Sequence, residues 1–531
     1  MSHSVTSRNT DADRPAGRYR ATTAGRFSRV DAALLAIVVG ATLGIRLPGI
    51  WTAYDIYVDE FVYVLQGQSV RDGHIPPGTP DQPFLIHPPG FFVYEALWMD
   101  VFGVDADRFD AVFAMREAQQ VLVALTAVGL YLVVRSLVGR VPALITGLVF
   151  ALDPFVVRQN GRILLESSTM TWAVLGFAVL VPLVRHFDTA ATDAGPPART
   201  ARRHVVAAAG GGLLFGCAIA SKDMAAFTTA FPLAVGLLTG WFLPRKLSAV
   251  ALAAACVPYA VFVGFVASAG LLPELWRAKT SGLSRLAGAT ITTGYNADDA
   301  PSITSVALQQ IHDFGTSYAV MAAGGAAALW LLVRTRRQAE RFVALAAVLG
   351  CAMVGYGVLF GTSEEHLFYF VVVPVLAPLS VVAVGLFRRA RQRDGRAPIA
   401  VVGALLAATL VFDAVAWARL RSTPDDGQVQ AYEWLMRNAP AGANVVWIAG
   451  QTKYMFRGTD HPTIDLEDPA RMAAEAPFYM LILEKEVEQR YSYASPEDVQ
   501  WYTSRSDLVF SQRGATYGEV SVYRVHDPST W

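Results

Sequence analysis

Long apolar runs, separated by short basic, polar or Pro/Gly-containing breaks, dominate the chain. A helix needs about 20 mostly apolar residues to cross roughly 30 Å of hydrocarbon. Eleven runs approach that requirement, at 31–50, 118–137, 141–157, 167–184, 205–221, 224–243, 247–268, 314–333, 342–361, 367–387 and 398–417. The third is short and runs into Asp153-Pro154, a pair that ends a helix or kinks it beside a water-lined cavity. The pattern predicts a polytopic α-helical membrane protein of about eleven transmembrane helices.

Basic residues orient these helices. Arg14, Arg18, Arg20, Arg26 and Arg29 precede the first run, Arg135 and Arg140 follow the second, and Arg334, Arg336, Arg337 and Arg341 follow the eighth. Short cytoplasmic loops carry excess Lys and Arg, so the N-terminus is expected in the cytoplasm. With an odd number of spans, the C-terminal segment is expected outside. Residues 1–30 read as a disordered cytoplasmic tail, 31–421 as the transmembrane domain and 422–531 as a small extracytoplasmic domain. In that last segment, helical spacing over Gln428–Asn438, apolar runs at Asn444–Ala449 and Phe478–Leu483, and a closing hairpin of Asp507–Ser511 with Glu519–Val525 predict a compact α/β unit. Two outer segments, 51–117 and 269–313, are far too long for simple turns and are expected to carry function.

Composition narrows the function. The 531 residues are 53% hydrophobic and only 17% charged, against about 25% charged in soluble chains. The 44 basic and 44 acidic residues cancel, so no field attracts nucleic acid, and none is expected as a partner. Cys217, Cys256 and Cys351 lie in apolar runs without the spacing of a disulfide framework or zinc site. Neither GxxxxGK[ST] nor a convincing GxGxxG after a strand occurs.

Four short strings could carry chemistry. In YVDEFVYVLQGQ, a helix over Asp59–Arg71 puts Asp59 and Tyr63 on one face and makes an apolar stripe of Phe61, Val64, Leu65 and Gln68, suited to the membrane interface; Gly73 stops it. Asp59 and Glu60 suit a dipole-favoured helix N-terminus as well as a catalytic carboxylate. The HPPG at His87–Gly90 introduces an aromatic run that reads as a re-entrant or interfacial helix. In LDPFVVRQNGRILLESS, Arg158, Arg162 and Glu166 stand at four-residue steps beside Asp153. On one helix they form either a salt ladder or a functional cluster whose guanidinium forks suit phosphate. Lys222-Asp223 ends the fifth run as an anion ligand or as a snorkelling cation paired with its neighbour. Glu364-Glu365-His366 could bind a divalent cation or form a solvated turn; no cofactor is otherwise indicated. On the topology set by the basic residues, Asp59, Glu60, His87, Arg162, Glu166, Lys222 and Glu364 share the outer face. Acids that activate a hydroxyl, beside cations that hold phosphate charge, suit transfer from a phosphate leaving group. A membrane-borne donor would reach that face.

Together, the Asp-Glu pair with Tyr63 after the first span, the later HPPG, the RxxxE-like second loop and the lysine ending the fifth span resemble the GT-C glycosyltransferases. The resemblance covers about 31–387 and is nearest the protein O-mannosyltransferases and lipid A aminoarabinose transferases, families 39 and 83. It implies an inverting transfer of a sugar, mannose or pentose-like, from a polyprenyl-phosphate carrier to a hydroxyl acceptor at the outer face of a plasma membrane. Protein, glycolipid, polysaccharide end and secreted metabolite all qualify as that acceptor. It implies Asp59 as base or acceptor ligand with Glu60 in support, Glu166 as the second-loop acid, and Arg162 and Lys222, joined by His87 and Arg158, at the lipid phosphate. Tyr63, Glu364 and His366 are the expected substrate-binding groups. Two positions depart from the relatives: Ile86-His87 stands where Glu-Lys often precedes the paired prolines, and the second acid is Glu rather than Asp. A lipid-linked sugar flippase would use the same charges, and a noncatalytic cell-envelope assembly protein would rely on residues 422–531 instead.

Overall fold

The computed structural model describes residues 27–51, 56–79, 82–106, 109–192, 200–289, 301–361, 364–392, 396–422, 424–488, 492–514 and 518–526. The expected disordered tail lies almost wholly outside them. The helices of the first part, in chain order, are α1 (Arg29–Arg46), α2 (Val58–Arg71), α3 (Gly90–Phe102), α4 (Ala111–Val138), α5 (Arg140–Leu152), α6 (Pro154–Asn160), α7 (Leu165–Thr192), α8 (Arg202–Ser221) and α9 (Ala225–Thr228). There follow α10 (Ala230–Thr239), α11 (Arg245–Ser268), α12 (Leu272–Leu286), α13 (Ile303–Gln309), α14 (Ile311–Arg334), α15 (Gln338–Phe360), α16 (Tyr369–Gln392) and α17 (Arg396–Ser422). A two-residue antiparallel pair, β1 (Gly78–Thr79) and β2 (Gln82–Pro83), joins α2 to α3.

All eleven apolar runs are helical, but they are not all spans of one kind. Among the described residues eight helices are long and apolar enough to cross a membrane, and α5 with α6 makes a ninth as a pair bent by 62°. The bend falls at Asp153, whose Oδ1 accepts from the Val156 N–H (2.9 Å) and the Ser317 hydroxyl (2.9 Å), with Pro154 opening the new helix. The expected first span, α1, carries Asp31 and Arg46 inward. Asp31 pairs with Arg135 at 2.8 Å, and Arg46 donates to the carbonyls of Ala151 (2.7 Å) and Phe150 (3.1 Å). The run 224–243 is split into α9 and α10, where the Thr228 and Thr229 hydroxyls both turn back to the Ala225 carbonyl.

The C-terminal segment is an α/β unit, as expected. It holds α18 (Gly427–Asn438), β3 (Asn444–Trp447), α19 (Gly450–Met455), β4 (Thr463–Asp465), α20 (Pro469–Met472), β5 (Phe478–Leu483), α21 (Glu484–Glu488), α22 (Pro496–Thr503), β6 (Asp507–Gly514) and β7 (Gly518–Val525). The sheet order is β4-β3-β5-β7-β6, with β3 parallel to β4 and β5, and β7 antiparallel to β5 and β6. Alternate residues of β5 serve two cores. Phe478, Met480 and Ile482 pack with Val499 and Tyr502, whereas Tyr479, Leu481 and Leu483 join a core containing Phe61, Val64, Phe91 and Phe92 of the outer loop. This second core corrects the interfacial reading of the α2 stripe. Phe61 and Val64 are covered by protein, and the Phe61 ring lies 6.0 Å from that of Tyr454.

Candidate active site

The outer loop is fixed through Glu60. Its carboxylate is fully buried and accepts from Arg116 Nε and Nη2 (2.8 Å each), from the Ile163 N–H (3.0 Å) and from the Tyr57 N–H (2.9 Å). One carboxylate thus ties the start of α2 to α4 and to the α6–α7 link. Its neighbour Asp59 is half-buried on the other face and accepts a hydrogen bond from the Tyr63 hydroxyl at 3.1 Å, one helical turn on. Burial, and next the charge of Glu364, push the Asp59 carboxyl above the ordinary carboxylate range, with His366 and Lys222 opposing.

The link between α6 and α7 breaks the expected ladder. Residues 161–164 are not helical, so Arg158, Arg162 and Glu166 do not share one helix face. Each instead meets a different element. Arg158 Nη1 donates to Glu365 at 2.7 Å, the Arg162 guanidinium lies 5.7 Å from the Tyr57 ring centre, and Glu166 forms an ion pair with Lys222. Lys222 does not pair with Asp223, because Asp223 is taken by Lys279 (2.8 Å).

His366 Nε2 sits between Glu364 (3.3 Å) and Glu166 (3.5 Å), and Arg285 reaches Glu364 at 3.1 Å. The His87 ring meets Tyr63 edge-on with centroids 6.2 Å apart. Burial, reinforced by the nearby charge of Lys222, keeps the His87 imidazole neutral well below its usual range. Gly90 permits this approach: a Cβ there would lie 2.6 Å from the Ala220 carbonyl oxygen and 3.1 Å from the Ser221 nitrogen, at the end of α8 beside Lys222. At the departure point before the paired prolines, Lys279 of α12 donates to the Ile86 carbonyl at 2.8 Å, so a lysine arrives there from a distant helix.

Asp59, Tyr63, His87, Glu166, Lys222, Glu364 and His366 therefore form one neighbourhood, and Arg158 and Arg162 form a second with Glu365. Three further residues complete it. Lys485, just after β5, feels Arg158, Glu365 and Arg162, and burial brings its ammonium down to about 8. Glu486, bonded by Gln451 at 3.4 Å, is pushed up by burial and feels both Arg162 and Asp59. Arg285 belongs to the second long loop. Nothing in the sequence ties Lys485 and Glu486 to the membrane site, whereas Glu365 stands within a string already singled out. Among the described residues no three His, Cys, Asp or Glu side chains are arranged to hold a metal ion, and Glu166 faces an ammonium instead.

No family model matches the sequence, and no curated protein matches it. Solved structures do. The oligosaccharyltransferase AglB from Archaeoglobus fulgidus, in complex with an inhibitory peptide and a dolichol-phosphate, superposes with a TM-score of 0.57 at 12% identity, covering 94% of this chain and 74% of its own. ArnT from Cupriavidus metallidurans, bound to undecaprenyl phosphate, gives 0.54 at 13% identity over 93% of this chain and 97% of its own. At such identity the likeness speaks for architecture, and in architecture this chain has the GT-C glycosyltransferase fold.

Proposed function

We propose that this chain is an inverting glycosyltransferase that moves a sugar from a polyprenyl phosphate to a hydroxyl acceptor on the extracytoplasmic face of the plasma membrane. The observation that carries the reading is the division of the site. A half-buried carboxylate of raised proton affinity, Asp59, faces the Glu166–Lys222 and Glu364–His366 groups, beside a cationic cluster of Arg158, Arg162 and Lys485. The fold adds support, since the similar structures of AglB and ArnT hold a dolichol-phosphate and an undecaprenyl phosphate.

In this reading the acceptor oxygen attacks the anomeric carbon from the side opposite the phosphate. The new C–O bond forms as the bond from carbon to phosphate oxygen breaks, and the electron pair leaves with the polyprenyl phosphate. Asp59 takes the acceptor proton, a role worth roughly 10²–10⁴-fold in rate. Its raised proton affinity suits a base better than an ordinary exposed carboxylate would. Arg158, Arg162 and Lys485, with Lys222, hold the phosphate charge as it grows. Tyr63 orients Asp59; His87, held neutral, offers a hydrogen bond without charge; Glu364 and His366 line the acceptor side. Glu60 is a positioning residue, and Glu166 holds Lys222. The N-terminus is cytoplasmic, and residues 422–531 cap the site from outside.

The test is transfer by purified protein in lipid nanodiscs, given a panel of radiolabelled polyprenyl-phosphate sugars and a mixed acceptor extract. Product that disappears in Asp59→Asn is the expected result. Transfer undiminished in that variant removes Asp59 as the base, and passage of lipid-linked sugar across the bilayer without any new glycosidic bond would favour a flippase.

A further inference from the structure

Away from the charged site, a cleft of about 460 Å³ opens between the start of the outer loop and the C-terminal unit. Its walls are aromatic. Trp51, with 43% of its surface exposed, stacks on Phe113 with ring centroids 4.7 Å apart, and Trp434 lies opposite with Phe510 at 6.3 Å. Its rim is polar and comes almost entirely from one face of α18. Gln430 Nε2 donates to Asp426 Oδ1 at 3.0 Å, where Gln512 also donates at 3.1 Å, and Asn438 Nδ2 donates to the Trp434 carbonyl at 2.8 Å. These bonds use one side-chain atom each of Asp426, Gln430 and Asn438, and all three residues line the cleft. The other two charges on the rim, Glu433 and Arg437, pair with each other at 2.9 Å and cancel.

This is an unusual lining for a lipid or phosphate site. No cation is in excess, and apart from Val429 the apolar surface is flat aromatic. It matches a sugar, whose C–H face packs on an aromatic ring while its hydroxyls reach amide and carboxylate groups around the edge. A chain of contacts links the cleft to the helix that bears the proposed base. The Arg116 guanidinium lies 5.3 Å from the Phe113 ring centre and holds Glu60, next to Asp59.

We infer that this cleft binds a neutral glycan chain and, resting on the transferase reading above, that this glycan is part of the acceptor. The sugars it holds are separate from the one transferred. The acceptor class is thereby narrowed from any hydroxyl to an oligosaccharide or polysaccharide end.

The experiment measures binding, not turnover. Protein in nanodiscs is titrated with short soluble α-mannosides, arabinofuranosides and β-glucans, followed by tryptophan fluorescence and saturation-transfer NMR. One class is expected to bind saturably. Trp51→Ala and Gln430→Ala should each weaken it about tenfold or more, Trp51→Phe should keep most of the affinity because a stacking face remains, and Asp59→Asn should bind like the wild type. Absence of binding by every class overturns the proposal, as does binding that Trp51→Ala and Gln430→Ala leave unchanged, which would make Trp51 a lipid-interface anchor. Binding with the expected variant pattern, together with no transfer from any lipid donor, keeps the glycan cleft and removes the acceptor assignment and the transferase reading with it.

Discussion

Asp59 and Glu60 are adjacent carboxylates with opposite predicted responses to loss of charge. Glu60 and Arg116 both have side chains with no exposed surface, and the Glu60 oxygens accept four hydrogen bonds. Glu60→Gln sets an amide N–H₂ against guanidinium or backbone donors and takes from buried Arg116 the charge it faces at 2.8 Å. Breaking one partner of such a pair costs about 3–5 kcal/mol. Asp59 accepts one hydrogen bond from Tyr63, so Asp59→Asn should cost about 1 kcal/mol or less while removing the base. Thermal unfolding in nanodiscs, read beside transfer, separates the two. Glu60→Gln should melt well below wild type, and Asp59→Asn should melt near it with activity gone. Glu60→Gln combined with Arg116→Met should recover part of the lost stability, because both members of the buried ion pair are then neutral. Recovery should be incomplete, since Arg116 also lies over the Phe113 ring. If Glu60→Gln melts like wild type yet loses transfer as completely as Asp59→Asn, Glu60 is a chemical group, and the division of roles between the two acids fails.

Two further perturbations probe the site's construction. Gly90→Ala drives a Cβ into the backbone at Ala220 and Ser221, where no side chain can yield; a loss of roughly 1–3 kcal/mol and weakened transfer are expected, and unchanged melting and activity would show that the HPPG turn does not need that approach. Glu364→Gln removes the charge that, after burial, most raises the Asp59 carboxyl. A base must be deprotonated, so activity falls as pH falls through its pKa, and the acid limb of the pH–rate profile should move to lower pH in this variant; an unmoved limb places the titration elsewhere.

The parts of this molecule that periodicity encodes were legible, and those made by distant contacts were not. Phe478–Leu483 reads as a strand because it is apolar at every position, and it is apolar at every position because both of its faces are covered. The eleven apolar runs are visible for the same local reason. What local hydropathy does not show is that α1 turns buried Asp31 and Arg46 inward, and that the run 224–243 breaks between α9 and α10, where threonines bond back to the chain. Four-residue spacing predicted one face for Arg158, Arg162 and Glu166, but the segment from Gly161 to Leu164 turns out of the helix, and each finds its partner far away. Arg158 meets Glu365 across 207 positions, a pairing that no sequence period contains. Lys485 is more distant still, in a domain whose sequence carries no membrane signal.

That separation bears on how the rival readings can be told apart. An assembly protein that works through its C-terminal segment predicts loss of function when residues 422–531 are removed. Here the same deletion strips Ala431, Leu435, Tyr479, Leu481 and Val522 from the core that holds Phe61, Val64, Phe91 and Phe92, and it removes Lys485 from beside Arg158 and Arg162. The helix bearing Asp59 would lose its support in the transferase reading too, so both readings forecast the same silence. Only a change that leaves this shared core intact distinguishes them. Asp59→Asn does so, because it removes a charge at constant shape from a residue outside that core and leaves the amide oxygen to accept from Tyr63, its one described hydrogen bond.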